Sequence, residues 1–122
     1  MMIIGDRVAD SQATAEAVRV AEILGARVYE SLTSEGAFPT SHPQFVGALR
    51  LGYETSYKIL STADAVLMVG KLLDGYYMFS KPTLRYMGPE TKLVHLDSDQ
   101  REVGSTRPTD VGIVSDPKTA LV

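Results

Sequence analysis

Apolar residues along this chain fall into short blocks, and two of those blocks end in glycine. The block that organises the rest is Ala63-Asp64-Ala65-Val66-Leu67-Met68-Val69-Gly70, a near-continuous apolar run with one charge at its entry. Apolar–polar alternation disappears when neither face of a strand meets water, so the run predicts a parallel strand buried on both sides. A helix of that length is too short to stand in a packed domain, and Val66 and Val69 favour the strand. Met1-Met2-Ile3-Ile4-Gly5 repeats the design. Two strands with glycine at the carboxyl end predict an open α/β sheet whose crevice lies above those glycines.

The pattern between these blocks supplies the remaining elements. Asp6 to Asp10 reads as a polar loop. Asp10 or Ser11 can cap a helix running to Leu24, stopped by Gly25 in a left-handed conformation. Its apolar stripe is Ala13, Ala17, Val20, Ala21 and Leu24, with Thr14, Glu16, Arg19 and Glu22 facing out. Ala26 to Ser31 reads as the second strand, completing a right-handed βαβ unit. Leu32 to His42, with Gly36 and Pro39, is expected to be an ordered loop. Phe45 to Arg50 reads as a short third strand and Glu54 to Leu60 as a helix.

Beyond the central run, Lys71 to Glu90 is the least regular stretch. It holds Tyr76, Tyr77, Phe79 and Tyr86 and a Gly88-Pro89 turn. A connection this long beside a crevice is either functional or covered by a partner. Lys92 to Leu96 is the fifth strand, Asp99 and Glu102 are spaced as a capping box for a short helix, and Asp110 to Ser115 is the sixth strand. Asp116-Pro117 then opens a helix at the C-terminus. The expected fold is α/β, a three-layer α/β/α sandwich around a six-stranded parallel, Rossmann-like sheet. A chain that begins in a strand and ends just inside a helix fits a frayed final turn or a segment cut from a longer protein.

Composition narrows this picture. A chain of 122 residues makes one domain, residues 1–122. The net charge of −3 comes from interspersed charges without a basic patch, which argues against nucleic acid as a partner. The absence of cysteine excludes a disulfide scaffold and a thiol nucleophile and fits a reducing compartment. No apolar run approaches the ~20 residues of a membrane span, so a cytoplasmic domain without membrane attachment is expected.

Candidate chemistry gathers at the expected crevice. Gly5-Asp6-Arg7 stands where a phosphate-binding turn would be, although a single glycine and an acidic neighbour equally describe an ordinary strand-to-helix turn. Arg7 can act as an anion clamp. Asp97 ends a buried strand, where a carboxylate accepts ribose hydroxyls, and Asp99 serves either that role or capping. A metal site from His95, Asp97 and Asp99 is possible by residue type, but strand alternation, sending neighbours to opposite faces, argues against it. His42 sits between Ser41 and Pro43 without a spaced acid partner. No self-sufficient catalytic motif appears.

Read together, Ile3-Ile4-Gly5, Gly36-Ala37-Phe38-Pro39 with His42-Pro43 and Gly47, Ala63 to Gly70, His95-Leu96-Asp97-Ser98-Asp99 and Ile113-Val114-Ser115-Asp116 resemble, in order, the central domain of thiamine diphosphate-dependent enzymes. The Phe-Pro-Thr…His-Pro pattern leans toward the benzoylformate decarboxylase and acetolactate synthase branches. The resemblance implies a central structural and interface domain of a thiamine diphosphate- and Mg-dependent 2-oxoacid decarboxylase or carboligase. In such enzymes flanking domains of the same chain bind the cofactor, one through a catalytic glutamate and the other through a Gly-Asp-Gly motif. Here the only Asp-Gly, Asp74-Gly75, lacks the preceding glycine, so the chain alone is expected to be inactive. A homo-oligomeric parent is expected. Some family members hold FAD or ADP in this domain. Carried over, that site comprises Gly5, the Lys71 to Gly75 stretch with Asp74, and Asp97 with Asp99, Arg7 adding a clamp. Because Gly-Asp-Arg and Lys-Leu-Leu-Asp-Gly replace glycine- and arginine-rich stretches, weak or absent flavin binding is expected, and an ADP- or FAD-binding module is the alternative function.

Overall fold

A computed structural model describes residues 1–31, 34, 36–49, 54–70, 87–105 and 107–122. Its elements in chain order are β1 (Met2–Ile4), α1 (Asp6–Asp10), α2 (Thr14–Leu24), β2 (Val28–Ser31), β3 (Phe45–Leu49), α3 (Glu54–Leu60), β4 (Ala65–Val69), β5 (Lys92–Asp97), β6 (Val111–Val114) and α4 (Pro117–Ala120). The six strands form one sheet in the order β3-β2-β1-β4-β5-β6, and every neighbouring pair is parallel. The order reverses direction between β1 and β4, which places the topological switch point at their carboxyl ends.

Strand alternation divides the core in two. Met2, Ile4, Val28, Val69 and Leu96 pack with Val8 of α1 and the alanines of α2. Ile3, Tyr29, Val66, Met68 and Leu93 pack on the opposite face with Leu60 of α3. The central strands therefore bury both faces, as a parallel sheet between helical layers requires. The edge strand β6 differs, since all four of its residues are exposed. Among the described residues no helix is long and apolar enough to cross a membrane.

The amino-terminal helix departs from the pattern read along the chain. Asp6–Asp10 is helical rather than a loop. Its single buried anchor is Val8, fully excluded from solvent, and the Gly5 carbonyl accepts the Val8 N–H at 3.1 Å. Gln12, at φ 54, breaks the chain direction between the two helices. Helix α2 consequently starts at Thr14 behind Ala13, without a side-chain cap. Ser11 instead turns its hydroxyl back to the Arg7 carbonyl at 2.6 Å. The buried stripe of α2 is narrower than periodicity suggests: Ala17 and Ala21 are buried, whereas Leu24 is exposed. Small side chains let the helix lie close to the sheet, and Leu24 projects past its end beside Gly25.

At the far side of the sheet β5 runs on to Asp97. The expected helix after Asp99 is a series of turns spanning 100–104. Asp99 serves it at close range: Oδ1 accepts the Arg101 N–H at 2.9 Å, and its carbonyl accepts the Glu102 N–H at 3.0 Å. Asp116 does cap α4, accepting from Lys118 N–H at 2.9 Å and Thr119 N–H at 3.3 Å.

Candidate functional site

The chain turns out of β1 at Gly5 and out of β4 at Gly70, on either side of the switch point. Gly5 donates its N–H to the Val69 carbonyl at 2.9 Å, so this amide is spent inside the sheet and is not presented to a phosphate. Asp6 accepts the Ser34 hydroxyl at 2.6 Å. Arg7, next along α1, lies directly over Gly70: a Cβ at Gly70 would stand 2.7 Å from Arg7 Cβ. From there the guanidinium reaches across β4 to the end of β5, with Nε 2.8 Å from Asp97 Oδ1.

Asp97 is fully buried, while the Arg7 side chain keeps 37% of its surface exposed. The carboxylate also accepts the Asp99 N–H at 2.8 Å through Oδ1, and its Oδ2 is buried without a hydrogen-bond partner among the described residues. A buried carboxylate needs a counter-charge, and Arg7 supplies it. The clamp and the acceptor suggested by the sequence are therefore partners of each other, and their charges cancel where an anionic ligand would enter. Asp99 sits at the rim and is held by Arg101, whose Nη2 lies 2.7 Å from Oδ2. That pairing lowers the Asp99 pKa from 3.8 to about 2, chiefly through the Arg101 side-chain hydrogen bond.

The structure thus gathers Gly5, Arg7 and Asp97 around the switch point, with Asp99 at the margin. Asp74, together with Lys71 to Gly75 and the tyrosines Tyr76, Tyr77 and Tyr86, lies outside the described residues. Among the described residues no group of His, Cys, Asp and Glu is arranged to hold a metal ion. Alternation is not the reason, because His95 and Asp97 stand two apart on β5 and share a face. The carboxylates are instead engaged by Arg7 and Arg101. With no carboxylate cluster free, these residues do not fit a divalent ion or the diphosphate it would carry.

His42 has an acid partner that sequence spacing did not show. Its Nε2 lies 3.3 Å from Glu22 Oε1 on α2, and its Nδ1 accepts the Gln44 N–H at 3.2 Å. The ring stands edge-on to Phe38, with centroids 5.3 Å apart. Nε2 ties the loop before β3 to α2, and Nδ1 braces that loop within itself. Glu30 was also missed, although a carboxylate inside the apolar strand Val28-Tyr29-Glu30-Ser31 was its signal. It is buried and accepts the Phe38 N–H at 2.9 Å.

A cavity of about 490 Å³ opens at the other end of β5, between Met87, Thr91, Lys92, Arg107 and Asp110. Both of its cations already have partners: Lys92 pairs with Asp110 at 2.9 Å, and Arg107 donates to the Gly88 carbonyl at 3.0 Å.

Comparison with known proteins agrees with this architecture. The family model described as thiamine pyrophosphate enzyme, central domain, matches residues 1–122. The chain is 31% identical to the sulfoacetaldehyde acetyltransferase of Castellaniella defragrans over 98% of its own length and 20% of the relative's. It is 31% identical to the acetolactate synthase of Mycobacterium bovis over 99% of its length and 19% of the relative's. Among solved structures it superposes on the 4-hydroxybenzoylformate decarboxylase of Rhodococcus jostii RHA1 with a TM-score of 0.84 and 29% identity, covering 99% of this chain and 23% of that one. The benzoylformate decarboxylase of Polynucleobacter necessarius gives a TM-score of 0.85 at 28% identity, covering 99% and 22%. This chain therefore spans about a fifth of the length of the relatives it matches, and it belongs to the thiamine pyrophosphate enzyme central-domain family.

Proposed function

We propose that this chain is the central structural and interface domain of a larger thiamine diphosphate- and Mg-dependent enzyme, a 2-oxoacid decarboxylase or carboligase. It holds the cofactor-binding domains in place and contributes no catalytic group of its own. The observation that carries this reading is the Arg7–Asp97 ion pair across the switch point. In an open parallel sheet a ligand enters at that point; here Arg7 covers Gly70 and its charge is already offset. The coverage of about a fifth of each relative supports flanking domains in the same parent chain.

Two measurements test the proposal. Calorimetric titration of the chain with ADP, FAD, and thiamine diphosphate plus Mg²⁺ is expected to give no saturable heat, and benzoylformate or pyruvate to give no turnover. Saturable micromolar uptake of ADP or FAD would replace this reading with a nucleotide-binding module, in which the unpartnered Oδ2 of Asp97 accepts a ribose hydroxyl. Sequencing the reading frame on both sides tests the parent. The expected result is a glutamate-bearing domain upstream and a Gly-Asp-Gly motif downstream; stop codons close on both sides would overturn it.

A further inference from the structure

His95 lies in the middle of β5, almost fully buried. Its position in the sheet is opposite Met68 of β4 on one side and Gly112 of β6 on the other. The missing side chain at Gly112 matters, because a Cβ there would stand 2.8 Å from Val103 Cγ1. Val103 therefore settles over β6, and the turns that follow Asp99 come down onto the sheet. The Gly104 N–H then points at the imidazole, donating to His95 Nδ1 at 3.2 Å. At its near end the same segment is tied by the Asp99 N–H on Asp97 Oδ1.

An Nδ1 that accepts a hydrogen bond carries no proton, so the neutral ring holds its proton on Nε2. That second nitrogen is buried and has no partner among the described residues. A proton added to Nδ1 would face the half-buried Gly104 N–H donor to donor, and the imidazolium would sit in a ring position that is almost fully buried. We propose that His95 is an acid-sensitive latch: neutral, it holds the 99–105 segment against β5 and β6 through Gly104, and protonated, it lets that segment go. Because the segment carries Asp99 and Arg101 at the rim of the Arg7–Asp97 pair, its release opens the β5 side of the crevice.

Among the described residues the charged groups that act on the ring are Asp97 on its own strand and Glu102 on the segment itself; both favour the imidazolium, and burial outweighs them, lowering the His95 pKa below its ordinary 6.5. In the register of the sheet its partners are Met68 of β4 and Gly112 of β6, neither of them charged, and Arg7 of α1 reaches the region through Asp97.

The test is a paired NMR titration of this chain between about pH 7.5 and 4.5, following the His95 ring carbons and the Gly104 amide together. The expected result is one shared midpoint below 6.5, with exchange protection of the Gly104 amide falling about tenfold or more across it. In His95→Gln the amide is expected to lose this transition. In Glu102→Gln the transition persists with a lower midpoint. A Gly104 amide that stays unchanged while His95 titrates overturns the latch, as does the same transition surviving in His95→Gln. Should His95→Gln fail to fold, the paired titration of the unaltered chain decides alone, since the ring and the amide either move together or do not.

Discussion

Arg7 Nε lies 2.8 Å from Asp97 Oδ1, joining the helix after β1 to the end of β5 across the intervening β4. The pair closes the switch point covalently remote but spatially central to the sheet. Removing the arginine leaves a buried carboxylate without its counter-charge. Losses of roughly 3–5 kcal/mol follow such a change in fully buried pairs. Because 37% of the Arg7 side chain is exposed, water screens part of the attraction, and Arg7→Ala is expected to cost about 2 kcal/mol. Asp97→Asn removes the charge but keeps an acceptor for the Asp99 N–H, so its cost should be smaller. Urea unfolding of the two variants and the double variant measures the coupling. A double variant whose loss equals the sum of the single losses would show that the pair contributes nothing.

Gly70 and Gly25 separate two reasons for requiring glycine. Both have a positive φ, 65° and 58°. A Cβ at Gly25 would meet nothing within 4 Å, whereas one at Gly70 would stand 2.7 Å from Arg7 Cβ. Gly25→Ala should therefore cost only the left-handed backbone penalty, about 1 kcal/mol. Gly70→Ala adds a collision that only a shift of α1 relieves, bringing the expected loss to about 2–4 kcal/mol. Equal losses at the two positions, read as unfolding midpoints at constant slope, would show that Arg7 does not press on Gly70.

The sheet was legible because two-sided burial writes itself into composition. Met2 to Ile4 and Val66 to Val69 are apolar without alternation, and a strand with helices on both faces has that signature. Helix α1 was not legible, because five residues with one buried position, Val8, show no period. Its polar residues Asp6 and Arg7 look like loop residues until Ser34 and Asp97 are seen to receive them. At the crevice the residue types could be read in advance, but not their pairing. Nothing in a linear sequence says that residues ninety positions apart cancel one another's charge.

Asp99 gives a direct measure of the rim. Its pKa is lowered from 3.8 to about 2, first by the Arg101 side chain and then by the Arg101 N–H. A carboxyl group with a depressed folded-state value contributes stability that is present above its unfolded pKa and lost as the pH falls through the folded value. The Asp99 contribution is therefore complete above pH 3.8 and disappears through about pH 2. Carboxyl-carbon NMR should find the Asp99 midpoint near the lower figure, and Arg101→Ala should return it toward 3.8. A midpoint that stays put in the variant would mean that Arg101 does not hold this carboxylate.

Glu30 is the buried charge whose service is easiest to isolate. It lies inside β2 and accepts the Phe38 N–H at 2.9 Å. Phe38 in turn meets His42 edge-on at 5.3 Å and stacks on Phe45 at 6.3 Å. One carboxylate oxygen thus fixes the backbone of the loop from which three aromatic rings are arranged. Glu30→Ala leaves a buried N–H unpaired beside a new void, and a loss of about 1–3 kcal/mol is expected. Glu30→Gln retains an oxygen acceptor of the same reach and should lose less than about 1 kcal/mol. The ring-current shifts of Phe38 and Phe45 supply the second readout: they should change in the alanine variant and persist in the glutamine variant. If both variants lose the same stability, the carboxylate's charge, rather than its hydrogen bond to Phe38, is what β2 requires.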